Sequence, residues 1–158
     1  MPDSTPLRMY RREQTDKPAI PWGDVERRLQ EAIVYWLCAG SAARPIWGVW
    51  HDEALWLSIG SPTVGRGLRS SPSASAHLED GHDVVIVEGT HRTESDESAL
   101  ARFCDVYNAK YAWDMTPSSI PGPIVVLTPD RVLAYRAGSW RDAKTDPFPL
   151  AASKFTFG

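Results

Sequence analysis

Between Ser58 and Ser71 the chain reads SIGSPTVGRGLRSS. Gly60, Gly65 and Gly67 let a backbone approach a ligand closely, Ser58, Ser61 and Thr63 bring hydroxyls, and Arg66 and Arg69 bring charge. That mixture suits an anion, because free N–H groups and the dipole at a helix start favour negative charge. An arginine fork adds charge-assisted bonds. Gly65-Arg66-Gly67-Leu68-Arg69-Ser70 also comes within one residue of the dinucleotide fingerprint, with Ser70 where the third glycine belongs. The fingerprint works inside a parallel strand–helix–strand unit, and the strand that follows here reads as antiparallel. The segment has no lysine and no complete phosphate-loop motif. Read from the residues alone, a solvated turn with two surface arginines fits equally well.

The other chemistry-bearing residues form weaker patterns. There are seven tryptophans in 158 residues, each a large ring with one donor, suited to a bulky core or to a stacking surface. Trp47, Trp50 and Trp56 fall on one expected hairpin. Trp47 and Trp50 lie an odd number apart, so a regular strand sends them to opposite faces. One face is then free to carry a planar ring, unless the tryptophans pack across strands. His51, His77, His82 and His91 have no ligand spacing, so no metal is expected. No GxSxG elbow is present, and no pair of carboxylates sits in an apolar setting. No catalytic side chain is therefore assigned. Cys38 and Cys104 lie in apolar surroundings and read as buried thiols.

The elements that must position these residues follow from periodicity. Residues 1–20 lack periodicity and read as a flexible arm; 21–158 read as one domain. PWGDVERRLQEAIVYWL carries apolar residues at helical spacing through Val25, Leu29, Ala32, Ile33 and Trp36, with Gly23 or Asp24 to cap it. RPIWGVW and ALWLSIG form a hairpin around HDE, and SASAHLE and HDVVIVEGTHR a second around DGH. PGPIVVLTPDRVLAYRAG predicts a third, turning at Thr128-Pro129-Asp130. ESDESALARFCDVYNAKYAW predicts a helix capped by Ser95, with Leu100, Phe103, Cys104 and Tyr107 as its apolar stripe. KFTFG alternates as a last strand. Consecutive hairpins imply a mainly β protein with flanking helices, an antiparallel barrel of six or seven strands. A formal net charge of −3 gives no basic field for nucleic acid. No stretch reads as a secretory signal or as a membrane span of about 18 apolar residues, so a cytoplasmic location is expected.

From Pro21 to Gly158 the order of parts resembles the flavin- and deazaflavin-dependent split β-barrel proteins related to pyridoxamine 5′-phosphate oxidase. The resemblance rests on RPIWGVW, ALWLSIG, GRGLRSSPSASAHLEDGHDVVIVEGT, YNAKYAWD and FPLAASKFTFG in sequence. It implies a homodimer that binds FMN or coenzyme F420 in a groove between chains and passes hydride to or from a small organic substrate. It implies that Ile46, Trp47 and Gly48 border the ring, and that Ser58, Gly60, Ser61 and Arg66 meet the phosphate. Trp113 and Trp140 are implied as walls supplied by the neighbouring chain. Two departures stand out. Where the family commonly has Lys-x-Arg-Asn-Leu, this chain has Val64-Gly65-Arg66-Gly67-Leu68, which removes two phosphate contacts of roughly 1–3 kcal/mol each. The first hairpin is also several residues shorter. These departures keep a second expectation open: a non-catalytic dimeric ligand-binding protein with a degenerate site.

Overall fold

The computed structural model describes residues 1–7, 18–137 and 151–158. Helix α1 spans Trp22–Glu31 and buries Trp22, Val25 and Leu29. It stops earlier than its apolar spacing predicts, because the β-branched and aromatic run after it favours a strand. Ile33 is left 63% exposed. Pro21, rather than Gly23 or Asp24, stands at the N-cap and makes no side-chain cap bond.

Strands β2 (Tyr35–Ala39) and β3 (Ala42–Ile46) form a tight hairpin. Gly40 supplies the left-handed φ of +59° that its turn requires. RPIWGVW is not one strand: it breaks at Trp47, and β4 (Gly48–His51) pairs with β5 (Ala54–Ser58). Both residues of their turn, Asp52 and Glu53, have positive φ, matching the twist of a two-residue hairpin. Helix α2 (Pro62–Ser70) follows, then β6 (Ser73–His77) and β7 (Asp83–Thr93). Helix α3 (Glu97–Tyr111) is capped by Asp96, not Ser95, through the N–H of Ala99.

The expected third hairpin is instead a single strand, β8 (Ile124–Arg136). Pro129 and Asp130 pass through without a turn because β7 slips register opposite them, between Glu88 and Gly89. The backbones then approach so closely that a Cβ on Gly89 would lie 1.9 Å from the Thr128 carbonyl oxygen. Such a bulge bends the strand pair and helps to curl a sheet. The first half of β8 pairs with β5, and the second half with β9 (Ala151–Thr156). Asp3–Pro6 form strand β1 on the outer edge of β9, so the arm expected over 1–20 does not hold for those residues.

The sheet order is β1-β9-β8-β7-β6-β2-β3, with β4–β5 joined through β8. All the described pairings are antiparallel. The fold class is as expected, with nine strands among the described residues instead of six or seven. α1 packs into the interior formed by Leu37, Leu55, Val85, Leu127, Val132 and Phe155. α3 covers the opposite side of β4, β5 and β8, where Phe103 and Tyr107 meet Val49, Trp56 and Val126. β5 is thus buried on both faces, which explains its uninterrupted apolar sequence.

Candidate functional site

The break at Trp47 creates the site. Ile46 ends β3 with its side chain in the core, and Gly48 begins β4 so close to β5 that a Cβ would lie 2.3 Å from the Trp56 carbonyl oxygen. Between them the Trp47 ring turns outward and is 43% exposed. Its carbonyl accepts a bond from the Ser58 N–H at 3.1 Å, tying the break to the end of β5. The chain then runs through Gly60 and Ser61 into α2.

A groove of about 450 Å³ lies here. One wall is Pro45, Ile46 and Trp47, and the other is Tyr107, Trp113 and Met115. Ser58, Gly60 and Ser61 give it one polar end, and Arg44 and Pro121 complete the lining. The second wall comes from the end of α3. Ala112 takes a left-handed φ of 54°, a conformation that costs a non-glycine residue energy, and turns the chain so that Trp113 meets Trp47. The two indoles meet edge-on with centroids 5.4 Å apart. Asn108 pins the same loop: its side chain accepts from the Met115 N–H at 2.9 Å and donates to the Met115 carbonyl at 2.8 Å.

Behind Trp47 lies a half-buried polar knot. Tyr111 stacks on Trp47 at 5.3 Å, and its hydroxyl donates to the Ile33 carbonyl and accepts from the Gly48 N–H. Lys110 Nζ donates to the Tyr35 hydroxyl and the Gly48 carbonyl, both at 2.9 Å. It also sits over the Tyr35 and Tyr111 rings, at 4.8 and 5.3 Å. No described carboxylate forms an ion pair with it. Burial brings the Lys110 ammonium down to about 8, since desolvation disfavours the charged form. It pushes the Tyr107 phenol up to about 12 and raises Tyr111.

The sign of the pH effect follows. In the unfolded chain Lys110 holds its proton to about pH 10.4, so between pH 8 and that value the unfolded state binds more protons. Stability linked to Lys110 is therefore complete above the unfolded value and is lost as pH falls through 8. Wild type is expected to gain stability relative to Lys110→Met as the pH is raised from 8 to 10.5, measured by paired thermal melts. A gap independent of pH would show that Lys110 is not desolvated.

Of the residues singled out in the sequence, Ile46, Trp47, Ser58, Gly60 and Ser61 come together in the groove, and Trp113, expected from a neighbouring chain, lines it from the same chain, carried there by the turn at Ala112. Gly48 lies behind it, with its N–H and carbonyl engaged by Tyr111 and Lys110. Arg66 lines a different cleft, with Gly40, Thr63 and Ser70. Trp140 is outside the described residues. Cys104 is buried, but Cys38 is partly exposed on the outer face of β2. Sequence reasoning missed Tyr107, Lys110 and Tyr111. Their three- and four-residue spacing places them on one side of α3.

No protein-family model matches the chain, and no curated protein matches its sequence. Solved structures do match. One is a conserved hypothetical protein of Mycobacterium tuberculosis: 18% identity, TM-score 0.62, covering 76% of this chain and 87% of that one. Another is a Clostridium acetobutylicum protein related to general stress protein 26, of the pyridoxinephosphate oxidase family: 14% identity, TM-score 0.59, coverage 85% and 92%. The fold is the pyridoxamine 5′-phosphate oxidase-like split β-barrel. General stress protein 26 of Bacillus anthracis also matches this split barrel, at 16% identity and TM-score 0.55, covering 71% of this chain and 91% of that one. At these identities the likeness is one of fold. No helix among the described residues is long and apolar enough to cross a membrane.

Proposed function

We propose that this split barrel is an oxidoreductase that binds a flavin or deazaflavin ring, as FMN or coenzyme F420, and acts on a small organic substrate as a homodimer. The observation that carries the reading is the groove at the Trp47 break. Its volume falls in the range of small-molecule sites, and its walls are aromatic and apolar where a planar ring needs them. Ile46, Trp47 and Trp113 would hold the ring, with Ser58, Gly60 and Ser61 at its polar end.

A bound flavin or deazaflavin supplies a ring that takes up and gives back hydride. The chain's own residues orient and shield. Tyr111 stacked behind Trp47 fixes that indole, Asn108 fixes the loop that carries Trp113 and Met115, and the apolar walls exclude water. Beside the groove, Tyr107 is buried, Lys110 is half-buried with its ammonium bonded to Tyr35 and Gly48, and Arg44 is exposed, so the chain's part is positioning rather than acid–base catalysis.

The dimer reading rests on the outer face of the main sheet. Strand register aligns Trp36, His77, Ile86 and Leu133 in one row across β2, β6, β7 and β8. All four are partly exposed, and Trp36 stacks on His77 with rings 4° from parallel. An apolar row on a sheet face is suited to a second copy of the chain. Flavin titration followed by tryptophan fluorescence tests the reading. Saturable quenching at micromolar FMN or F420 is expected. Leu133→Glu is expected to give a monomer in analytical ultracentrifugation and to weaken that binding at least tenfold. A folded Leu133→Glu dimer with unchanged affinity would remove this face from the dimer. Absence of quenching by either compound in the wild type favours the ligand-binding, non-catalytic alternative.

A further inference from the structure

We infer that the groove selects its ligand by the planar ring and not by a terminal phosphate, so that a non-phosphorylated ring compound binds as tightly as its phosphate ester. The inference rests on the reading of the groove as a flavin-type site and narrows its ligand class.

The argument starts from the donors at the polar end. A phosphate at a helix start is held by the free N–H groups of the first turn. In α2 the first position is Pro62, which has no N–H. The Val64 N–H is taken by the Ser61 hydroxyl, and the Gly65 N–H by the Ser61 carbonyl. Among the first-turn N–H groups Thr63 alone is left, and Ser61 Oγ, which accepts from the Val64 N–H, adds only its own uncharged O–H.

Cationic side chains fare no better among the described residues. Val64, at the position of the family's lysine, is fully buried in the core. Arg66 points along the other side of α2. Its Nη2 donates to Thr63 Oγ1 at 3.2 Å, and it lines a separate cleft with Gly40, Ser41 and Ser70. Arg44 is the one described cation on the groove. It is exposed, and its Nη1 donates to the Ala43 carbonyl at 2.7 Å, so water and salt screen it. The ring end is the reverse case. Trp47 and Trp113 are among the few large apolar side chains left exposed in the described residues. Both are held in place from behind, and stacking surface of this kind does not depend on the ligand's charge.

The test is a pair of titrations on the full chain, riboflavin against FMN, each at 50 and 300 mM salt and followed by tryptophan quenching. Dissociation constants within threefold of each other, and little changed by salt, are expected. Arg66→Ala and Arg44→Ala are each expected to leave the FMN-to-riboflavin ratio within threefold of wild type. FMN binding at least tenfold tighter than riboflavin, with the advantage shrinking at high salt, would overturn the inference and leave the groove as a flavin site. Binding of neither compound would overturn the inference, and absence of F420 binding as well would overturn the reading beneath it. An arginine variant that selectively loses FMN would identify the phosphate contact that the inference denies.

Discussion

Val64→Lys, which introduces the lysine common at this position in the family the sequence resembles, is expected to cost about 3–5 kcal/mol of stability rather than improve ligand binding. Val64 has no solvent exposure and packs in the barrel interior. A lysine there must bury its ammonium without a described carboxylate beside it, or pull α2 off the sheet to reach water. A buried unpaired charge is among the few single changes that cost this much. For a chain of this length each kcal/mol lowers the melting temperature by about 2–4 °C, so a fall of roughly 6–20 °C is expected in a thermal melt. The loss should shrink above pH 9, as the introduced amine sheds its proton. Val64→Met, which keeps the position apolar, should cost less than about 1.5 kcal/mol. A Val64→Lys protein that melts like wild type would mean that this position reaches solvent, and with it a phosphate.

The fold was largely legible because strand alternation and turn chemistry agree over most of the chain. The DGH turn between β6 and β7 is where polar residues interrupt two alternating runs. The third hairpin misled for a physical reason. Thr128-Pro129-Asp130 has good local turn chemistry, but a glycine forty residues away decides the outcome: Gly89 has no side chain and lets β8 run straight past. A non-local contact overrode a local propensity. The site was legible in part for a similar reason. Ser58, Gly60 and Ser61 fall in one polar stretch and Trp47 on a hairpin rich in tryptophan, so their residue types drew attention, while Ile46 was assigned through the family resemblance. The second wall depends on the left-handed turn at Ala112, which alanine does not advertise. Trp113 was reached only through the family resemblance, while Tyr107, Lys110 and Tyr111 lie in the same YNAKYAWD stretch and were given no role in the site. Arg66 shows the converse. Its residue type suits a phosphate, but three residues along a helix from Thr63 it faces the β2–β3 turn instead.

Gly67→Asn, which introduces the asparagine of the resembled pattern, is expected to cost about 3 kcal/mol or more, for a reason that joins the two departures of this sequence. A Cβ on Gly67 would lie 2.1 Å from the Ala39 carbonyl oxygen and 2.6 Å from its carbon. These are backbone atoms at the end of β2, and no rotamer change moves them aside. On the other side of the contact, a Cβ on Gly40 would lie 3.2 Å from the Gly67 Cα. The short hairpin between β2 and β3 thus lands its turn directly on α2, and the helix must be bare where it lands. The short turn and the glycine are therefore one structural feature: a longer turn leaves room for asparagine, and this one excludes it. Gly67→Asn must push α2 outward or tear the turn away, and over-packing against backbone costs more than the 1–3 kcal/mol typical of side-chain crowding. Gly65→Asn is the control. A Cβ there meets only the tip of Arg69 at 3.4 Å, so its cost should stay below about 1 kcal/mol. Urea unfolding of the two variants side by side reads the difference. Equal midpoints would show that α2 and the turn are not in contact. Insertion of several residues after Gly40 is expected to recover part of the loss in Gly67→Asn, because it moves the turn off the helix. Failure of that rescue in a folded insertion variant would separate the two departures again.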